Sequence, residues 1–135
     1  MTVRFNTPAI VERVRRGAWQ GVVTGVGIVE SRAVRLIVGP PKTGRIYRRG
    51  GVEHQASAPG EAPANDSSRL VNSRRIDLIP ERLRARLIFS AKHALWMEHG
   101  TRRIQPRPFA RRSLVESKNA VVNAISAGVA SELRR

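Results

Sequence analysis

The chain has no cysteine. Disulfides and thiolate metal sites are excluded, and folding is indifferent to redox compartment. Acids are scarce: Asp and Glu number 10 against 25 Lys and Arg, giving a formal net charge of +15. Aromatics are scarce too, and Phe5, Trp19, Tyr47, Phe89, Trp96 and Phe109 are scattered. They do not form the basic stacking platform of a single-strand binder and are expected in the core. No run approaches the roughly 18 apolar residues of a membrane span. The opening "MTVRFNTPAIVERVRR" lacks an apolar signal region. The expectation is a soluble product, intracellular or part of a particle assembled inside a cell, with no membrane partner.

What the chain has in quantity is arginine, 22 residues against 3 lysines. An imbalance this large implies an anionic neighbour or a demand for solubility. The planar guanidinium fork suits phosphate and carboxylate. A GC-rich genome yields the same bias, and composition does not separate the two. Arg15-Arg16, Arg48-Arg49, Arg74-Arg75, Arg102-Arg103, Arg111-Arg112 and Arg134-Arg135 are spread along the chain. A sequence-specific DNA reader concentrates its base-reading side chains on one helix. A spread pattern suits solvated faces or a general phosphate-facing surface. No helix-turn-helix or zinc-finger spacing occurs.

At 135 residues the chain is expected to form one domain, residues 1–135. The first element is a helix over 8–38. Thr7 is the expected N-cap and Pro8 the first helical residue. Ile10, Val14, Ala18, Val22, Val26, Val29, Ala33 and Leu36 recur at helical spacing, and Gly39-Pro40-Pro41 is a stop. Unbroken, the helix would be about 46 Å long, far beyond a radius of gyration of about 14 Å. It must bend or project. Gly17, Gly21 and Gly25 stand four apart within it, as either a groove for another helix or a weak point. Ala120, Ala124 and Gly128 repeat that spacing in a second helix over 109–133. Its expected apolar face is Leu114, Val121, Val122, Ile125, Val129 and Leu133, with Arg111, Arg112, Glu116, Lys118 and Glu132 largely elsewhere.

The middle reads as a strand and extended loop over 43–73, then strands and a short helix over 74–108. "GRIYR" (Gly44 to Arg48), "RRIDLIP" (Arg74 to Pro80) and "RLRARLIF" (Arg82 to Phe89) are the strand candidates. The last alternates Leu83, Ala85, Leu87 and Phe89 with Arg82, Arg84 and Arg86. "RRIQPRP" (Arg102 to Pro108) is a possible edge strand. "KHALWMEHG" is a helical turn or two ended by Gly100. The fold class is α+β, with both long helices on one face of an antiparallel sheet of about four strands. Between "GRIYR" and "RRIDLIP" runs "HQASAPGEAPAND" (His54 to Asp66), with no large apolar side chain. Such a connection tends to be functional or disordered. Residues Val52 to Ser68 are expected to be mobile alone and to order against a neighbour.

No catalytic constellation is readable, so the chain is not expected to be an enzyme or to carry a cofactor. His54, His93 and His99 are the only histidines. His93, Glu98 and His99 lack the spacing of a helical metal site, and no metal is expected. "GPPKTG" lacks the donors of a phosphate loop.

Two stretches, "TGRIYRR…HQASAPGEAPANDSSRLVNS" (Thr43 to Ser73) and "HALWMEHGTRRIQPRPFARRSL" (His93 to Leu114), carry a resemblance. The chain resembles the small tail-component family of tailed bacteriophages, the tail-completion or head–tail joining proteins. The resemblance covers most of the chain. The family's loop motif falls on Ala56, Ser57, Pro59, Gly60, Glu61, Pro63 and Ala64. Its second motif falls on Glu98, Gly100, Thr101, Arg107, Pro108 and Phe109, with Tyr47 in the strand. Asp66-Ser67-Ser68 stands where the family often has Asp-Thr-Gly. His93 stands where it has tyrosine, and His99 where an aromatic is common.

The resemblance implies a structural virion protein at the neck end of the tail, assembled in the host cytoplasm as a ring of six around the DNA conduit. Implied neighbours are head-closure, tail terminator or tail tube proteins. His54, Ala56, Ser57, Pro59, Gly60, Glu61 and Pro63 are the candidate interface loop. Arg82, Arg84, Arg86, Arg102, Arg103, Arg107, Arg111 and Arg112 are candidates to face the lumen or an acidic partner, touching packaged DNA without base readout. Two other readings stand beside this one: a small basic nucleic-acid-binding protein, and a neighbouring neck component such as a tail terminator or head-closure protein.

Overall fold

Asn6, not Thr7, opens the first helix: its Oδ1 accepts the Ala9 N–H at 3.3 Å. The computed structural model describes residues 4–135. Helix α1 runs Thr7–Val38 without a break, about 48 Å at 1.5 Å per residue. It ends where expected, with the Gly39 N–H on Arg35 O and Pro40-Pro41 unable to continue. Lys42 Nζ reaches back to Leu36 O at 2.9 Å, a cation at the negative end of the helix.

The last helix, α4, runs Ala110–Leu133 and lies antiparallel along α1. Gly17 meets Gly128 and Val129, Gly21 meets Ala124 and Ile125, and Gly25 meets Val121. The glycines are therefore a groove and not a weak point. Missing side chains bring the two backbones together, and the dense packing offsets the helix propensity that glycine costs. The seam is more polar than the expected apolar stripe. On α4 the buried residues are Ser113, Ser117 and Glu132, while Leu114, Val122 and Leu133 are about half exposed. Glu132 lies inside because Arg16 and Gln20 of α1 bind its carboxylate, each at 3.3 Å.

Two separate antiparallel ribbons replace the single four-stranded sheet. β1 (Ile46–Arg49) pairs with β2 (Val52–Gln55), from Ile46↔Gln55 to Arg49↔Val52. Gly50 and Gly51, both at positive φ, make the two-residue turn that fits strand twist. After α2 (Arg69–Asn72), β3 (Arg74–Ile79) pairs with β4 (Arg84–Phe89) in the register Arg74↔Phe89 to Ile79↔Arg84. Arg82 and Leu83 belong to the connection, not the strand. Pro80–Arg82 forms a 3-10 turn, and Leu83 takes a left-handed conformation. An isolated ribbon is marginal in water. This one lies along α1, tied by Arg74 to Glu30 at 2.8 Å and by Arg15 to Glu81 O at 3.3 Å.

Helix α3 (Ala94–His99) follows. Arg102–Pro108 is not a strand. Its backbone closes a turn on Thr101 and donates from Arg107 N to Met97 O at 2.7 Å. The core sits at one end of the helix pair, where Leu36, Ile37, Ala62, Leu70, Ala94 and Phe109 meet. Phe89 and Phe109 pack edge to face at 4.9 Å. The architecture is α+β.

Candidate functional site

The 52–68 segment has partners within its own chain. Its first four residues are β2, and the ladder continues through Gly44 N on Ala56 O and Ala56 N on Arg45 O, both at 3.0 Å. The expectation of a structureless arm is corrected, because polar side chains replace the missing apolar ones. Glu61 accepts the Ala58 N–H at 2.8 Å, the Thr43 N–H at 3.1 Å and the Thr43 hydroxyl. The hydroxyl bond, the two amides and nearby Lys42 hold the Glu61 carboxyl down to about 2. Asp66 collects the rest: Tyr47 OH at 3.0 Å, Arg49 at 3.3 Å and His54 Nδ1 at 2.8 Å. The His54 ring stacks on Tyr47. The Asp66 hydrogen bond pushes the Tyr47 hydroxyl up from its ordinary value.

The candidate interface residues therefore divide. Ser57 is buried at 5% exposure and Pro63 is buried beside the core residue Ala62, while Ala56 is half-buried. Pro59 and Gly60 form the exposed tip, and Gly60 N donates to Pro106 O at 3.3 Å. The loop's tip thus rests against the second motif.

That motif is a helix cap built at a distance. Phe109 opens α4 with no cap from its own side chain. Glu98 supplies one: Oε2 accepts the Phe109 and Ala110 amides at 2.9 and 3.0 Å, and Oε1 accepts that of Arg111 at 2.8 Å. A carboxylate on three free amides at the positive end of a helix satisfies both hydrogen bonding and the dipole. Gly100 makes the geometry possible. Its φ is +75°, and a side chain there would strike Ile104 O and Pro106. Thr101 Oγ1 then accepts from Arg103 N and Ile104 N, both at 3.1 Å.

The arginines also divide. Arg75, Arg84 and Arg86 share the outer face of the β3–β4 ribbon with Asp77, opposite the face that Ala85, Leu87 and Phe89 turn inward. Arg82, Arg84, Arg86, Arg102, Arg103 and Arg111 are exposed and make no ion pair among the described residues. Arg112 pairs with Glu116 at 2.7 Å, and Arg32 of α1 pairs with the same carboxylate. Arg107 differs from all of these. It is half-buried, and its Nε is covered by protein with no hydrogen-bond partner. It lines a cleft of about 320 Å³ with Tyr47, Arg49, Asp66, Arg69 and His93.

Sequence reasoning missed Asp66 and Thr43 as the fixed points of the loop, and Glu132 as a buried acid. The Gly50-Gly51 pair was the available signal for the β1–β2 hairpin. No family model, no curated protein and no solved structure matches the chain. Among the described residues, no group of three or more His, Asp or Glu is arranged to hold a metal. No helix among the described residues is long and apolar enough to cross a membrane.

Proposed function

We propose that the chain is a structural virion protein of a tailed bacteriophage: a tail-completion or head–tail joining subunit that forms a six-membered ring at the neck end of the tail. The observation that carries this reading is surface. The chain exposes 9587 Å² at 15.0 kDa, whereas a compact monomer of that mass exposes about 7,000 Å². The excess of about 2,500 Å² is roughly three standard patches of about 800 Å² each. Two ring neighbours and one stacked ring would use that much.

The motif residues give further support. Glu98, Gly100, Thr101 and Phe109 hold the start of α4, and Glu61 and Tyr47 hold the loop. They specify a shape and not a reaction, as expected of a subunit whose work is assembly. Ser68 stands where the family often has glycine, and its φ is +56°, the conformation glycine adopts most readily. The exposed arginines on β4 and around 102–111 are the groups available to face DNA phosphates, without base readout.

Quantitative mass spectrometry of purified particles from the source of this chain tests the reading. About six copies per particle are expected for one cyclic ring. Absence from the particle overturns it. The unpaired arginines also suit a second reading, a basic nucleic-acid-binding protein. In that case the free chain would hold duplex DNA tightly and lose it steeply with salt.

A further inference from the structure

We infer that the cleft between the 56–69 loop and α3 receives a carboxylate, supplied by an acidic peptide segment of a partner chain. The cleft gathers Arg49, Arg69, Arg107 and His93 around one acid, Asp66. Asp66 is already committed to Tyr47, Arg49 and His54. Neither Arg69 nor Arg107 has a carboxylate partner among the described residues. Arg107 is anchored at its backbone, where its amide donates to Met97 O, and its Nε is enclosed without an acceptor. Its guanidinium is a partly enclosed charge with no carboxylate partner among the described residues.

The ligand class follows from shape. A guanidinium fork takes a carboxylate through paired hydrogen bonds. At about 320 Å³ the cleft is at the small end of ligand sites. It suits one acidic side chain with its flanking backbone. Duplex phosphates come as long rows, and the exposed arginines of β4 suit those better. The +15 charge would steer an acidic segment toward this surface. The cleft borders the candidate interface loop, but the inference rests on its own charges and not on the virion assignment, and each can fail alone.

The test is an NMR titration of the full chain with hexaglutamate, and separately with inorganic phosphate. Peptide-induced shifts are expected at the amides of Ser67, Ser68, Arg69, Met97 and Arg107. Arg107→Gln should weaken peptide binding by about tenfold or more, and Arg107→Lys, which keeps charge without the fork, by less. The double variant Arg84→Gln/Arg86→Gln removes two charges elsewhere and should change affinity by less than about threefold. Equal losses in the Arg107 and β4 variants, or shifts spread over β4 without the cleft, would overturn the site. Phosphate binding the same amides more tightly than the peptide would overturn the carboxylate. If Arg107→Gln does not fold, the position of the shifts in the unsubstituted chain decides.

Discussion

Gly17 and Gly128 meet backbone to backbone: a Cβ on Gly17 would fall 2.5 Å from Gly128 O and 2.6 Å from the Cα of Val129. The helix pair tolerates no side chain there. Gly17→Ala should cost about 1–3 kcal/mol through overpacking, despite the helix propensity that alanine adds. Gly27, on the same helix, has open space around its Cβ position. Gly27→Ala should stabilise by about 0.5–1 kcal/mol. Urea midpoints of the two variants check the contrast, and a loss in both would mean the seam is not what sets the sign.

Removing the Glu98 carboxylate leaves three amides of α4 unpartnered. Glu98→Ala should destabilise by about 1–3 kcal/mol. Glu98→Gln keeps an acceptor but no charge and should lose less. Chemical denaturation measures both. An unchanged midpoint in Glu98→Ala would show that water caps the helix equally well.

Ser68 holds a left-handed backbone that costs a non-glycine residue about 1–2 kcal/mol. Ser68→Gly should raise stability by about 0.5–1 kcal/mol, with part of the gain lost to the freer unfolded chain. Differential scanning calorimetry would register the rise in Tm. A lower Tm would mean that the Asn65 contact to Ser68 Oγ matters more than the strain.

Acid should weaken the fold through Glu61. Its carboxyl lies at about 2 when folded and at 4.5 without those contacts. Its contribution is complete above pH 4.5 and is lost as pH falls toward 2. Glu116 is also lowered, by its bonds to Arg112 and Arg32. For Glu132, burial pushes upward, but the bonds from Arg16 and Gln20 and the charges of Arg135 and Arg16 carry it below the ordinary value. Both act in the same direction, their contributions being lost as pH falls below 4.5. In Glu61→Gln the acid limb of Tm against pH should be shallower by about one proton. A limb identical to the parent's would remove Glu61 from the account.

The long helices were readable because their signals are local: spacing, Pro8 at the start of α1, and Gly39-Pro40-Pro41 at its end; the cap fell one residue earlier than expected, on Asn6. Strand β4 was readable from alternation, and β3 from a short run ended by Pro80. Leu83 broke the alternation because a tight turn after Pro80 overrides side-chain pattern. The loop was unreadable for a different reason. Its order depends on Glu61 meeting Thr43, 18 residues away, and on Asp66 meeting Tyr47, 19 residues away. Nothing in a local window announces such pairs. Glu98 was visible as a motif residue, but its role as the cap of α4 emerges only once Gly100 turns the chain back. The single sheet failed because strand propensity names strands and not their neighbours.

A repeat of small residues every four positions is a ruler with identical marks. Sliding α4 one turn along α1, about 6 Å, would again place small residue against small residue, so the seam alone does not choose an alignment. Arg16 with Glu132 and Arg32 with Glu116, which stand sixteen residues apart on both helices, favour one alignment, as does Phe109 packed against Leu36 and Ile37 at the head of α4. A slip of one turn parts both pairs at once and strands Glu132 in the seam. Two weak ion pairs thus act as a single vernier. Deleting both would leave the alignment to the Phe109 end of the helix pair alone.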